Sequence, residues 1–232
     1  MSVDRAALDS AAASLGLILE DDAKLRLLKY LTLLRKWNRV YNLTAVRDPA
    51  EMVTHHLFDS LAVVAPLNRE LDRAAALREA PVRLLDVGSG AGLPGVVIAI
   101  ACPGVTVTCV DAVAKKSAFV RQVAAELGLV NLRAAHDRVE SLHLRSDDRF
   151  DVIVARAFAA LGKLVDLSDS ALAAHGIWLA MKARPPMEEI AALPPTIEVF
   201  HVEQVAVPQW DAQRCIVWMR RASHSMPIQS NE

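Results

Sequence analysis

No apolar run in this 232-residue chain approaches the roughly 18 residues that a membrane-crossing helix needs, although 53% of its residues are hydrophobic. Met1 to Gly16 also lacks the basic-then-apolar order of a secretion signal. Nothing here is expected to cross a membrane, and a cytoplasmic location is expected. Cysteine is scarce: Cys102, Cys109 and Cys215 stand far from any C-x-x-C spacing, so they read as core thiols rather than metal ligands or disulfide partners. A strong net charge is missing as well. The formal value of −1 argues against indiscriminate binding of nucleic acid through bulk positive charge.

Locally the balance differs. Between Ala23 and Arg47 there is no acidic residue, while Lys24, Arg26, Lys29, Arg35, Lys36, Arg39 and Arg47 all fall there. That pattern is either a solvated helix face or a surface for a polyanion. Residues from about Arg5 to Leu67 read as helical, with Leu25, Leu28, Leu31, Leu34 and Val40 near helical spacing and Leu27, Tyr30 and Trp37 widening the apolar face. Asn42-Leu43-Thr44 breaks the pattern. Asp48-Pro49-Ala50-Glu51 then supplies an N-cap, a proline at the first helical position and a capping-box glutamate, predicting a helix from Pro49 to about Val64. Asn68 to Ala80 reads as a further short helix or a linker. The domain reading is a helical region over 1–80, an α/β domain over 81–222 and a flexible tail over 223–232.

From Val82 onward strands and helices alternate, the signature of a parallel sheet covered on both faces. The pattern predicts strands at 83–87, 105–110, 131–135, 151–155, 177–182, 198–206 and 214–221, and helices at 93–101, 114–127, 160–173 and 187–192. No convincing helix separates the last two strands. They are expected to pair antiparallel, so that the final strand enters the sheet reversed.

The most informative stretch runs Asp86-Val87-Gly88-Ser89-Gly90-Ala91-Gly92-Leu93-Pro94-Gly95, with Asp111 closing the following strand. An apolar strand that stops at a Gly-x-Gly-x-Gly turn lets backbone amides approach a ligand, and the acid at the end of the next strand is placed to grip a ribose. A dinucleotide fingerprint wants its third glycine three positions after Gly90, where Leu93 stands. The glycine order instead resembles the first motif of Rossmann-like S-adenosylmethionine-dependent methyltransferases. In that arrangement Val139 meets the purine face and Glu140 its amino edge, although Asp137 to Glu140 reads equally well as a surface turn. A nicotinamide-dependent oxidoreductase is the alternative from another class.

Absences narrow the acceptor. The fourth strand ends Val154-Ala155-Arg156-Ala157-Phe158, without the Pro-Pro-aromatic clamp common for exocyclic amines. Carbon-5 of a pyrimidine needs a thiolate, and Cys102-Pro103 lies far from the carboxyl ends of the strands. A ribose hydroxyl needs a base; Lys182 ends a strand suitably, but no acid stands at 155 or 156. A ring nitrogen such as guanine N7 carries its lone pair already and needs only to be aimed. Arg156 is a candidate for a methionine carboxylate or a phosphate, or for a structural ion pair, with Lys182 assisting; Phe158 either stacks on a base or fills the core.

Trp37-Asn38-Arg39-Val40-Tyr41-Asn42-Leu43-Thr44, His56-Leu57-Phe58-Asp59-Ser60, the glycine turn and Ala155-Arg156-Ala157, in that order, resemble the small-subunit ribosomal RNA methyltransferase G family, also called glucose-inhibited division protein B. The likeness covers roughly Leu25 to Arg221. It implies an α/β Rossmann-like class I S-adenosylmethionine-dependent methyltransferase fold with a mostly parallel sheet, an antiparallel last strand and a helical amino-terminal extension. It implies transfer of a methyl group to N7 of a guanine in 16S ribosomal RNA near the decoding site; a methyltransferase of another acceptor is the nearest alternative. Carried over by position, Gly88 and Leu93 become cofactor-loop contacts beside Asp86 and Gly90. Asp111 becomes the ribose-side acid, Val139 and Glu140 the adenine-side pair, and Arg156 a cofactor or substrate contact. Arg35, Lys36, Arg39 and Arg47 become candidates for RNA binding. The partner would be 16S ribosomal RNA or the small ribosomal subunit, and a monomer is expected. One departure stands out: the family's Lys-Gly after the fifth strand is Lys182-Ala183-Arg184 here. His55, His56 and Asp59 invite a metal reading, but N7 methylation needs none, and a polar cluster at the domain junction or RNA face is expected instead.

Overall fold

The computed structural model describes residues 2–75, 80–142 and 144–222; the expected tail over 223–232 lies outside them. Helices α1 (Ser2–Ser14) and α2 (Asp21–Tyr41) come first. Along α2 the buried positions are Leu27, Tyr30, Leu31, Leu34 and Asn38, spaced by three and four as one helix face requires. This corrects the expected stripe, because Leu25 is 40% and Val40 70% exposed. A strict three-residue spacing drifts around a 3.6-residue helix, so those two leave the buried face. Asn42 ends α2 in the left-handed region with φ 48°, and its amide donates to Asn38 O. The Asn38 side chain pins the following loop by donating to Val46 O and accepting from Thr44 N.

Asp48 caps α3 (Pro49–Met52), its carboxylate accepting from Ala50 N and Glu51 N, as the sequence pattern leads one to expect. The predicted single helix to Val64 is instead interrupted. A π-helical stretch over Val53–Phe58 leads into α4 (Asp59–Leu61), and α5 (Val64–Ala75) takes the first part of the segment read as a short helix or linker. The wider π turn places His55, His56 and Asp59 at the end of the sheet that carries the glycine turn.

The sheet comprises β1 (Val82–Val87), β2 (Val105–Asp111), β3 (Leu132–His136), β4 (Phe150–Arg156), β5 (Leu172–Lys182), β6 (Ile197–Val207) and β7 (Trp210–Arg221). Its order is β3-β2-β1-β4-β5-β7-β6. The first five strands pair in parallel, while β7 runs antiparallel to both β5 and β6, so the final strand enters reversed as expected. Helices α6 (Gly95–Ala101), α7 (Ala114–Leu127), α8 (Leu161–Ser168) and α9 (Met187–Ala191) complete an α/β Rossmann-like fold. The helix expected over 160–173 stops at Ser168, because Leu172 pairs with Phe150 and begins a strand of 11 residues.

Alternate strand residues feed two cores. Leu84, Val107, Val152, Val154 and Leu179 face the amino-terminal helices with α6 and α7; Leu85, Val110, Ile153, Trp178 and Val217 face α8. Burial of α2 against the sheet-side helices carries it to the glycine turn: Trp37 lies 5.4 Å from Phe119 of α7, and the buried Tyr30 hydroxyl donates to Ala91 O at 2.8 Å. The three cysteines are buried free thiols.

Candidate active site

The glycine turn is strapped to the carboxyl end of β2. Gly88 N and Ser89 N both donate to Val110 O, and Gly90 N donates to an Asp111 carboxylate oxygen at 2.9 Å. Gly88, Gly90 and Gly92 have φ of 65°, 58° and 86°, a region that glycine enters without strain. A β-carbon on Gly88 would fall 2.5 Å from the Phe158 ring, whereas one on Gly90 would meet nothing closer than Gly88 O at 4.0 Å. The space above Gly90 is therefore open, while the Ser89 and Gly90 amides are tied to the end of β2. The other Asp111 oxygen accepts from Val113 N, and Lys116 stands 3.7 Å from the carboxylate.

Asp86 departs from its expected role. It is 0% exposed and lines neither of the two cavities at this end of the sheet. One oxygen accepts from Gly95 N at 2.8 Å, holding the start of α6 against β1. Burial pushes its carboxyl up to about 7, partly opposed by that bond and by Arg156. It supports the turn from beneath and touches nothing in the cleft.

A cavity of about 400 Å³ holds Asp111, Val139 and Glu140 together with Arg138 and Lys163; Val139 is buried, and Glu140 is paired with Arg138 at 2.6 Å. A larger cavity of about 760 Å³ holds Gly88, Gly90, Leu93, Arg156 and Lys182 with His55, His56, Asp59, Trp210 and Arg214. The two share Gly88, Ala157, Phe158 and Ala159 as a common wall. Phe158 is half-buried, one side packed on the α8 core and the ring over Gly88.

In the larger cavity the charged groups are committed to one another. Asp59, 4% exposed, accepts from Arg156 and Arg214, each at 2.8 Å, and Arg156 also donates to His55 O. Lys182 donates to Ala159 O at 2.9 Å and to Glu189 at 2.8 Å, while Glu189 accepts from Leu161 N. Lys182 thus braces the 157–160 loop, where the sequence pattern makes it a catalytic candidate assisting Arg156. His56 has one ring nitrogen 2.8 Å from Thr44 Oγ1, and burial lowers its pKa to about 4.

The basic run splits in two. Lys24 pairs with Asp9 and Arg26 with Asp22, each at 2.8 Å. Arg35, Arg39 and Arg47 instead line a cleft of about 300 Å³ with Asn38 and Asn42, and Lys36 is exposed beside it. Arg35 donates to Pro49 O; Lys36, Arg39 and Arg47 have no ion-pair partner among the described residues.

Residues 23–217 match the family described as rRNA small subunit methyltransferase G. The chain belongs to that family. A ribosomal RNA small subunit methyltransferase G from Albidiferax ferrireducens is 59% identical over 94% of this chain and 97% of its own length. One from Leptothrix cholodnii is 55% identical over 96% and 98%. Among solved structures, the 1,6-didemethyltoxoflavin-N1-methyltransferase of Burkholderia thailandensis, with bound S-adenosylhomocysteine, superposes with a TM-score of 0.56 at 18% identity over 84% of this chain and 90% of that one. The ribosomal protein L11 methylase of Lactobacillus delbrueckii gives 0.50 at 19% identity over 72% and 77%. This member of the methyltransferase G family therefore has the class I methyltransferase fold.

Sequence reading missed two of its cavity residues, Trp210 and Arg214. Both stand on β7, at the reversed strand, and no local motif announces them.

Proposed function

We propose that the chain transfers a methyl group from S-adenosylmethionine to N7 of a guanine in 16S ribosomal RNA. The open space over Gly90 and the Asp111 carboxylate at the rim suit a ribose-bearing cofactor. Asp111 would accept from the ribose hydroxyls with lone pairs left over from its backbone bonds, and Val139 would pack on the adenine. Leu93 and the Gly88–Gly90 turn would line the path toward Arg156, whose Nε and Nη2 have no partner among the described residues and suit a carboxylate. S-adenosylmethionine supplies an electrophilic methyl on a cationic sulfur, leaving S-adenosylhomocysteine after transfer.

The observation that carries the choice of acceptor is the commitment of the larger cavity's acid and amine. Asp59 is taken by two arginines and Lys182 by Glu189 and Ala159 O, so neither is available to remove a proton. An acceptor that already holds a lone pair needs none removed, and catalysis then rests on aim, an effect that can reach about 7–11 kcal/mol. Arg35, Lys36, Arg39 and Arg47 would carry RNA phosphates outside the cavity.

The test is methyl transfer to small subunits from a strain lacking the modification, mapped by borohydride and aniline cleavage at N7-methylguanine. Label at N7 is expected; label on an exocyclic amine would sink the reading. Asp111→Ala is expected to weaken S-adenosylhomocysteine binding about 10- to 100-fold by calorimetry, the worth of hydrogen bonds to a charged group.

A further inference from the structure

Four side chains of the larger cavity are given no ligand by the proposed function: His55, Asp59, Trp210 and Arg214. They come from the π-helical stretch, α4 and β7, and they form one connected unit. Asp59 holds Arg214 through Nε at 2.8 Å. The guanidinium lies over the Trp210 ring with Cζ 4.1 Å from its centroid, and His55 stacks on the same indole at 4.0 Å and 29°. Arg214 also donates through Nη1 to Gln213 O. Its Nη2 has no partner among the described residues and is not buried.

The charge balance of this unit is uneven. One carboxylate faces two guanidiniums, and Lys182 is offset by Glu189. A partly enclosed site with surplus positive charge draws an anion. The donor's single carboxylate is the group proposed for Arg156, and its ammonium and sulfonium leave it cationic overall, so it supplies nothing for the open Nη2 of Arg214. Arg214 cannot usefully address the reacting nitrogen, because a hydrogen bond to N7 would occupy the lone pair that must attack. The anion that RNA brings to any cavity is its backbone phosphate, and the planar guanidinium fork suits two phosphate oxygens better than an ammonium does.

We propose that Arg214, held by Asp59 and braced on Trp210, is the phosphate-binding residue that seats the RNA strand at the larger cavity. Asp59, Trp210 and His55 act through it as positioning residues. The inference rests on the reading of this cavity as the RNA acceptor site.

The experiment compares Arg214→Gln, Arg214→Lys and Trp210→Leu in the full chain. Calorimetry with S-adenosylhomocysteine and salt-dependent binding to small subunits lacking the methyl group are the readouts. Arg214→Gln is expected to keep S-adenosylhomocysteine affinity within about twofold, weaken subunit binding about tenfold and lower the slope of log affinity against log salt by about 0.7 to 1. Arg214→Lys restores the slope but only part of the affinity, and it carries the test if the glutamine variant fails to fold. Trp210→Leu weakens subunit binding about threefold with the slope unchanged, since the charge stays while its brace goes. An unchanged slope in Arg214→Gln overturns the proposal, as does a lysine variant indistinguishable from wild type in subunit affinity. So does a loss of S-adenosylhomocysteine binding equal to the loss on subunits, which would give Arg214 to the donor. Wild-type inactivity on these subunits would instead sink the proposed function itself.

Discussion

On the side proposed for the donor, Gly90 and Asp111 meet across 21 residues of chain, within one strand–turn–helix–strand unit, whereas the side proposed for the acceptor joins Asp59 to Arg156 and Arg214 across 97 and 155 residues. The donor cleft is made mainly of backbone: glycines with positive φ, amides tied to β2 and a carboxylate at the rim. The acceptor cavity is made of side chains whose positions depend on one another. A backbone site is fixed once the parallel strands pair; a side-chain site also needs the amino-terminal helices and the reversed strand to dock. Damage to the second should therefore cost more of the fold.

The largest expected effect follows from removing the shared acid. Asp59→Ala leaves two half-buried guanidiniums without their carboxylate, and breaking one partner of a buried ionic cluster typically costs about 3 to 5 kcal/mol. Urea unfolding should show a loss of that order, with methyl transfer to small subunits falling more than S-adenosylhomocysteine affinity. A stability change under about 1 kcal/mol would mean that the cluster is held by packing alone, and the contrast between the two sides would fail.

The donor side carries a cost of its own in Asp86. Its pKa stands at about 7 in the fold against an ordinary value of 3.8, with burial as the main cause. The folded chain thus keeps a proton that the unfolded chain releases. The contribution of this group is fully present below about pH 3.8 and is lost as pH rises toward 7. Asp86→Asn keeps an acceptor for Gly95 N and cannot ionise. Relative to wild type it should gain stability between pH 4 and 7, on the order of a few kcal/mol in all. Parallel stability profiles for the two proteins across that range would show that Asp86 is not titrating as its burial implies.

The same contrast explains what could be read beforehand. Short-range patterns were legible: the glycine turn, Asp111, the Asp48 cap and the alternation of strands and helices are each set within a few tens of residues. The reversed last strand was legible too, because no helix separates β6 from β7. The π-helical stretch was not, since nothing in Val-Thr-His-His-Leu-Phe distinguishes a π turn from an α turn. Nor were the partners of Lys182 and Arg156, because Glu189 and Asp59 reach them only through tertiary packing, which also brings the Trp210–Arg214 pair to Asp59. Asp86 was misplaced for a related reason. A motif gives sequence neighbours, and burial depth is decided by the helix laid over them.

The basic segment tests whether the acceptor side extends beyond the cavity. Sequence treats Lys24 to Arg47 as one run, but the fold divides it: Lys24 and Arg26 are paired with Asp9 and Asp22, while Lys36, Arg39 and Arg47 lack ion-pair partners among the described residues. Phosphate contacts come from cations not already neutralised, and each adds about one released counterion to the salt dependence. Replacing Lys36, Arg39 and Arg47 together by glutamate should weaken binding to small subunits by about 10- to 30-fold and lower the salt slope by roughly two to three. S-adenosylhomocysteine affinity should stay near that of wild type. Replacing Lys24 and Arg26 by glutamate should leave subunit binding almost unchanged, at the expense of some helix stability from lost ion pairs. Equal losses from the two sets would make the segment a diffuse electrostatic surface, with the cleft around Arg39 and Arg47 no different from the rest of α2.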